Sequence, residues 1–221
     1  MKKLAIVHTT PVTVESLKAL AGEILPGYEV VNFVDDSILP QLKANEGKVE
    51  EVEARLIQYY KFAEEVGADV VLNACSSVGE VVQKGQSQVN IPIVRIDDAM
   101  AEEAVRRGER IGVAATLNTT LRPTLDLIKA KAVEAEGNYR IVSLLVSEAY
   151  ERLIAGDKEG HDAVLAAALL DFAQDVDVVV LAQASMARVV QTLPADVQDR
   201  FLSSPRLGME RVKSVVEKTN V

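Results

Sequence analysis

The chain has 221 residues, 48% of them hydrophobic and 26% charged, enough for one large α/β domain or two small ones with full cores. Its net charge of −9 repels nucleic-acid phosphates and anionic lipid, so neither nucleic acid nor membrane is an expected partner. One cysteine excludes an internal disulfide or a multi-cysteine metal site, and two histidines are too few for most others, so no metal is expected.

Strands are predicted at 4–8, 29–34, 69–74, 93–96, 110–115, 140–146, 177–183 and 200–202. The first, third, fifth and seventh are nearly continuous apolar runs, the pattern of strands covered on both faces. Helices are predicted between them at 12–24, 49–66, 100–107, 121–134, 158–172 and 208–218. This alternation predicts an α/β fold of parallel sheets with helices on both sides. No apolar run approaches the roughly 18–20 residues that span a bilayer. Met1-Lys2-Lys3 leads into a short strand, not a long apolar segment, so no signal peptide is expected. A lone thiol fits a reducing cytoplasm.

The order of elements occurs twice. Residues 69–82 align without gaps on 177–190, at an offset of 108, which sets Asp69 on Asp177, Ser77 on Ser185 and Cys75 on Gln183. Strand 4–8 with Thr9 aligns on 111–115 with Thr116 at an offset of 107. Two pseudo-symmetric halves are therefore expected, 1–97 and 98–206, with an active-site cleft between them. The final segment, 207–221, is expected to pack back on either half.

Ligands in open parallel sheets bind at the carboxyl ends of strands. Four such ends are polar here: His8-Thr9-Thr10, Asn73-Ala74-Cys75-Ser76-Ser77, Thr116-Leu117-Asn118-Thr119-Thr120, and Gln183-Ala184-Ser185. Their hydroxyls and the N–H groups of the helices that follow suit a carboxylate. Plain capping accounts for one Ser or Thr per helix, and these runs exceed it. Cys75 sits where a helix N-terminus lowers a thiol pKa, although a lone cysteine also serves as a small buried apolar residue. His8 ends a strand, as a proton carrier or a satisfied polar group. His161 is predicted at the surface, and Asp35-Asp36 and Asp97-Asp98 mark turns or caps. No G-x-G-x-x-G, G-x-x-x-x-G-K-[ST] or G-x-S-x-G pattern follows a strand.

Together, His8-Thr9-Thr10-Pro11, Asn73-Ala74-Cys75-Ser76-Ser77, Gly112-Val113-Ala114-Ala115-Thr116 and Leu181-Ala182-Gln183-Ala184-Ser185-Met186-Ala187 resemble the aspartate/glutamate/hydantoin racemase superfamily across essentially the whole chain. The resemblance implies catalysis without cofactor or metal on a small carboxylate or related carbonyl compound, and often a homo-oligomer. In that family one cysteine removes the proton beside the carboxylate and a second returns one from the opposite face. The first maps onto Cys75. The substrate-binding turns map onto Thr9, Thr10, Ser76, Ser77, Thr116, Asn118, Thr119, Thr120 and Ser185. The second cysteine position is Gln183, which hydrogen-bonds but shuttles no proton near neutrality. The resemblance thus implies single-cysteine chemistry, by isomerisation, decarboxylation or carbon–carbon cleavage. Gln183 would hold the substrate or its enolate, and His8 is the nearest candidate for another acid. The alternative is a non-catalytic small-acid sensor on the same fold.

Overall fold

Asp69 and Asp177 head the two repeated segments, and the computed structural model, which describes residues 2–219, shows why. Asp69 Oδ2 accepts the backbone N–H of Lys3 at 2.6 Å. Asp177 Oδ2 accepts that of Arg110 at 2.8 Å. Lys3 and Arg110 open the two central strands, so each carboxylate ties the start of one strand to the segment leading into the next.

The chain divides into two compact units, the described parts of Met1–Asp97 with Pro205–Val221, and Asp98–Ser204. In the first, β1 (Lys3–His8), α1 (Val14–Ile24), β2 (Glu29–Val34), α2 (Ile38–Ala44), α3 (Glu50–Glu65), β3 (Val70–Asn73), α4 (Val81–Gln86) and β4 (Ile93–Arg95) follow in order. The strands form one four-stranded parallel sheet, ordered β2-β1-β3-β4. The second holds α5 (Asp98–Arg107), β5 (Arg110–Ala115), α6 (Asn118–Glu134), β6 (Arg140–Leu145), α7 (Ser147–Ile154), α8 (Lys158–Phe172), β7 (Val178–Leu181), α9 (Ala187–Val190), α10 (Ala195–Gln198) and β8 (Phe201–Ser203). Its sheet is also parallel, ordered β6-β5-β7-β8. The last helix, α11 (Ser204–Thr219), returns to the first unit's core.

Side-chain alternation along a strand explains the layers. Leu4 and Ile6 of β1, with Val70 and Leu72 of β3, face Leu17, Ala21 and Ile24 of α1 and Met209, Val212 and Val216 of α11. Ala5, Val7 and Val71 face the opposite way, onto Ile38 of α2, Val52, Leu56 and Tyr60 of α3 and Val81 of α4. Continuous apolar runs were therefore the right signature. Each large side chain so buried contributes about 1.5–3 kcal/mol. In the second unit Val179 and Leu181 pack on Leu165 and Leu169 of α8 and on Ala149 of α7.

All eight predicted strands form, with ends shifted by at most two residues. The sequence reading missed α2, α4, α7, α9 and α10. These are short, and the longest is eight residues, two turns. That is too little for a helical period to stand out, and such helices owe their stability to packing. Among the described residues no helix is long and apolar enough to cross a membrane.

Candidate active site

Cys75 leaves β3 in extended conformation (φ −134°, ψ 115°) and precedes a single 3-10 turn, Ser76–Val78. It lies at the edge of the α2–α3–α4 core and is 9% exposed. Thr9 follows Val7 in the alternation of β1, and its hydroxyl reaches the sulfur. Burial pushes the Cys75 thiol above its ordinary value. The Thr9 hydroxyl, the Ser77 N–H and hydroxyl, and the Val78 N–H pull it down without cancelling the burial. This corrects the expectation of a lowered pKa: the helical turn here is short, and desolvation outweighs its dipole. The Ser77 hydroxyl adjoins the sulfur as a nearby dipole but completes no well-aligned hydrogen bond. Asn73 Nδ2 donates to the Cys75 carbonyl at 3.2 Å.

The second unit repeats this arrangement with different chemistry. Gln183 leaves β7 at φ −130°, ψ 130° and precedes the 3-10 turn Ala184–Met186. Its Oε1 accepts the Thr116 N–H at 2.7 Å and the Thr116 hydroxyl at 3.0 Å. Nε2 has no partner among the described residues and keeps two N–H donors to offer. Thr9 and Thr116 thus each serve the residue at the end of the neighbouring strand, a thiol in one unit and a carboxamide in the other.

His8 does not belong with the thiol. The alternation that puts Leu4 and Ile6 on the α1 face puts His8 there too, away from Val7 and the Cys75 cluster. The ring is fully buried, with Nδ1 2.9 Å from Thr13 Oγ1 and Nε2 2.9 Å from Asn32 Oδ1. With Asn32 presenting its oxygen, Nε2 donates and Nδ1 accepts from Thr13. Burial lowers the His8 pKa, and the Asn32 bond only partly opposes it. A neutral ring with both nitrogens engaged positions the Thr9–Thr13 turn, which fits the satisfied polar group of the two readings of its strand-end location.

The remaining predicted residues divide between local bonding and open display. Thr10 Oγ1 accepts from Val12 N–H at 3.4 Å, an ordinary cap. Asn118, Thr119 and Thr120 are not a turn before the helix but the first turn of α6, and Thr120 Oγ1 donates to the Leu117 carbonyl at 2.9 Å. Ser76 is half-buried, and Asn118 and Ser185 are exposed. His161, expected at the surface, is 2% exposed. Its Nδ1 lies 2.6 Å from Asp162 Oδ1, and Arg188 bonds the other oxygen of that carboxylate. Arg188 is 27 residues away in the chain, which hides this contact from a local reading.

Sequence reading passed over Arg95 and gave Asp97 only as a turn or cap residue. Asp97 is fully buried and takes Arg95 Nε at 2.6 Å and Nη2 at 3.0 Å. A Cβ on Gly79 would lie 2.2 Å from Arg95 Nε, so this glycine lets the guanidinium pack on the cysteine turn. The Arg-x-Asp spacing at a strand end, with a glycine just after the cysteine turn, was the available signal. Asp35 does tie its turn together, accepting from Ser37, Tyr59 and Arg55. Among the described residues no three His, Cys, Asp or Glu side chains converge as metal ligands.

A family profile described as Asp/Glu/Hydantoin racemase matches residues 6–212. The chain belongs to this racemase family. Solved racemase structures share its fold. Glutamate racemase from Bacillus anthracis superposes with a TM-score of 0.75 at 16% identity, over 99% of this chain and 82% of that one. Allantoin racemase from Klebsiella pneumoniae gives 0.70 at 15% identity, over 99% and 89%. An aspartate racemase homologue from Pyrococcus horikoshii gives 0.72 at 19% identity, over 98% and 100%. Among curated proteins no sequence matches. Membership of the racemase family supports an isomerase-type enzyme.

Proposed function

We propose that this racemase-family chain catalyses proton transfer at the carbon beside a carboxylate or carbonyl group of a small acid, with Cys75 as its single acid/base and no cofactor. The observation that carries this reading is the place of Cys75, buried at the carboxyl end of β3 in extended conformation before a 3-10 turn, with the Thr9 hydroxyl and the Ser77 N–H beside the sulfur. Desolvation makes the thiolate scarcer at neutral pH but a stronger base once formed, which narrows the gap to a weakly acidic C–H bond. The thiolate takes the carbon-bound proton, the C–H electron pair moves into the enolate, and the same thiol returns a proton to carbon. Fixed N–H and O–H dipoles lose nothing to reorganisation as the enolate charge develops. Gln183, anchored by Thr116, keeps N–H donors of the kind that hold a carboxylate oxygen. It moves no proton, so one-face chemistry replaces two-thiol racemisation.

The test is deuterium uptake from heavy water into a panel of small dicarboxylates, hydroxy acids and hydantoins, comparing the parent with Cys75→Ser. Exchange should fall by about 10²–10⁴-fold in the variant, the usual worth of a positioned acid/base. Equal exchange by both proteins on a substrate that is turned over removes Cys75 from the mechanism.

A further inference from the structure

Three buried polar atoms of the first unit have no hydrogen-bond partner among the described residues: the Tyr60 hydroxyl, Asn73 Oδ1 and Ser77 Oγ. A buried group left this way costs about 1–3 kcal/mol, so one in a settled core calls for a reason. All three belong to segments that meet at Cys75. Asn73 and Ser77 lie two residues to either side of it. Tyr60 shares its core cluster, and after burial itself, the negative charge of Cys75 is what raises the Tyr60 phenol.

The fold aims the phenol toward the sulfur. Side chains on a helix tilt toward its N-terminus. Helix α3 leads into β3 and runs back along the sheet, so its N-terminal direction is the carboxyl end of β3, where Cys75 stands. The ring is also clamped in place. A Cβ on Gly85 would lie 2.6 Å from Tyr60 Cδ2 and Cε2 and 3.4 Å from Ile93 Cδ1, so the ring fills the space where α4 passes over β4. Ile93 pairs in register with Val71, and the next same-face positions along these strands are Asn73 and Arg95. The hydroxyl at the far end of the ring therefore points to the Asn73–Cys75 level.

We propose that Tyr60 is a positioning residue for the thiol, its hydroxyl donating to the Cys75 sulfur when that sulfur is ionised. A neutral thiol accepts hydrogen bonds weakly, whereas a thiolate accepts them strongly. No acceptor meets the Tyr60 hydroxyl in hydrogen-bonding geometry in the resting state, and the charge that develops when Cys75 gives up its proton draws hydroxyl and sulfur together. The Ser77 hydroxyl is the second such donor. This deepens the proposed function, since it rests on Cys75 working through its thiolate.

The test is the pH profile of Cys75 alkylation by iodoacetamide, followed by intact mass, in the parent and Tyr60→Phe. The midpoint should move up by about one pH unit, so that alkylation at neutral pH slows about tenfold. Thermal stability should hold or rise, because phenylalanine removes a hydroxyl that the resting state leaves unpaired. A core residue without this role would give an unmoved profile, and superimposable profiles overturn the inference. Should Tyr60→Phe not fold, 3-fluorotyrosine at position 60 keeps both ring and hydroxyl. Its more acidic phenol is the stronger donor and should shift the profile to lower pH, and no shift overturns the inference equally. The assay contains no substrate. An unshifted profile overturns the role of Tyr60 even where isotope exchange depends on Cys75, and a shifted one supports it even where exchange does not.

Discussion

The two sheets end in the same architecture and different chemistry. In each, the second residue after the third-position strand is in extended conformation and precedes a single 3-10 turn, and the threonine that follows the central strand reaches back to it. One unit places a desolvated thiol there and the other a carboxamide whose oxygen is doubly held. Backbone geometry is alike in the two units because it depends on strand packing. Reactivity lies in one side chain and is free to change. Under the function proposed above the difference gives the two ends separate jobs, proton transfer at Cys75 and hydrogen bonding at Gln183.

The largest break in this comparison is Cys75→Gln, which makes the two ends chemically alike. Isotope exchange should fall by about 10²–10⁴-fold, as for Cys75→Ser, while the fold is retained, since Gln183 shows that this backbone accepts the side chain. Exchange that persists in the glutamine variant would show that the two ends do not divide the work this way.

A smaller effect contrasts the central strands. Ala5 of β1 is fully buried, and its counterpart in β5 is Gly112. A Cβ on Gly112 would lie 2.6 Å from Phe172 Cε1 and 3.1 Å from Val176 Cγ2. Overpacking costs about 1–3 kcal/mol, against roughly 0.4–1 kcal/mol gained by restricting the unfolded chain. Gly112→Ala should therefore lower stability by about 1 kcal/mol in denaturant unfolding, since the half-buried Phe172 ring has some room to yield. An unchanged midpoint would show that the ring moves freely.

The smallest is the acid sensitivity carried by His8. Its folded pKa is lowered from the ordinary 6.5 by burial. Above about 6.5 the unfolded imidazole is also neutral, and the full stability is present. As the pH falls below that value the unfolded chain takes up a proton that the folded ring resists, and stability is lost until the folded pKa is passed. The stability difference between the parent and His8→Gln should shrink between roughly pH 8 and pH 5, measured as melting temperature. A constant difference would mean that His8 ionises equally in both states.

Much of this was legible in the residues. Continuous apolar runs disclosed the strands, since a strand covered on both faces has no polar side to show. The aspartates heading each repeat, the threonines and the Cys75–Gln183 correspondence were all visible as spacing. What the spacing concealed was partnership. His161 read as a surface residue because Arg188 lies 27 positions on, and the short helices carried too few turns to register.

The sequence by itself determined the order of the strands and the longer helices, the doubling of that order and the asymmetry of one thiol against one carboxamide. Each of these is a local or periodic property of the chain. Tertiary structure alone decided that the thiol is desolvated, that His8 is turned to the opposite face between Thr13 and Asn32, and that the Tyr60 hydroxyl lies unpaired in the Cys75 core. Protonation and hydrogen bonding follow burial and neighbours, and those neighbours come from distant parts of the chain.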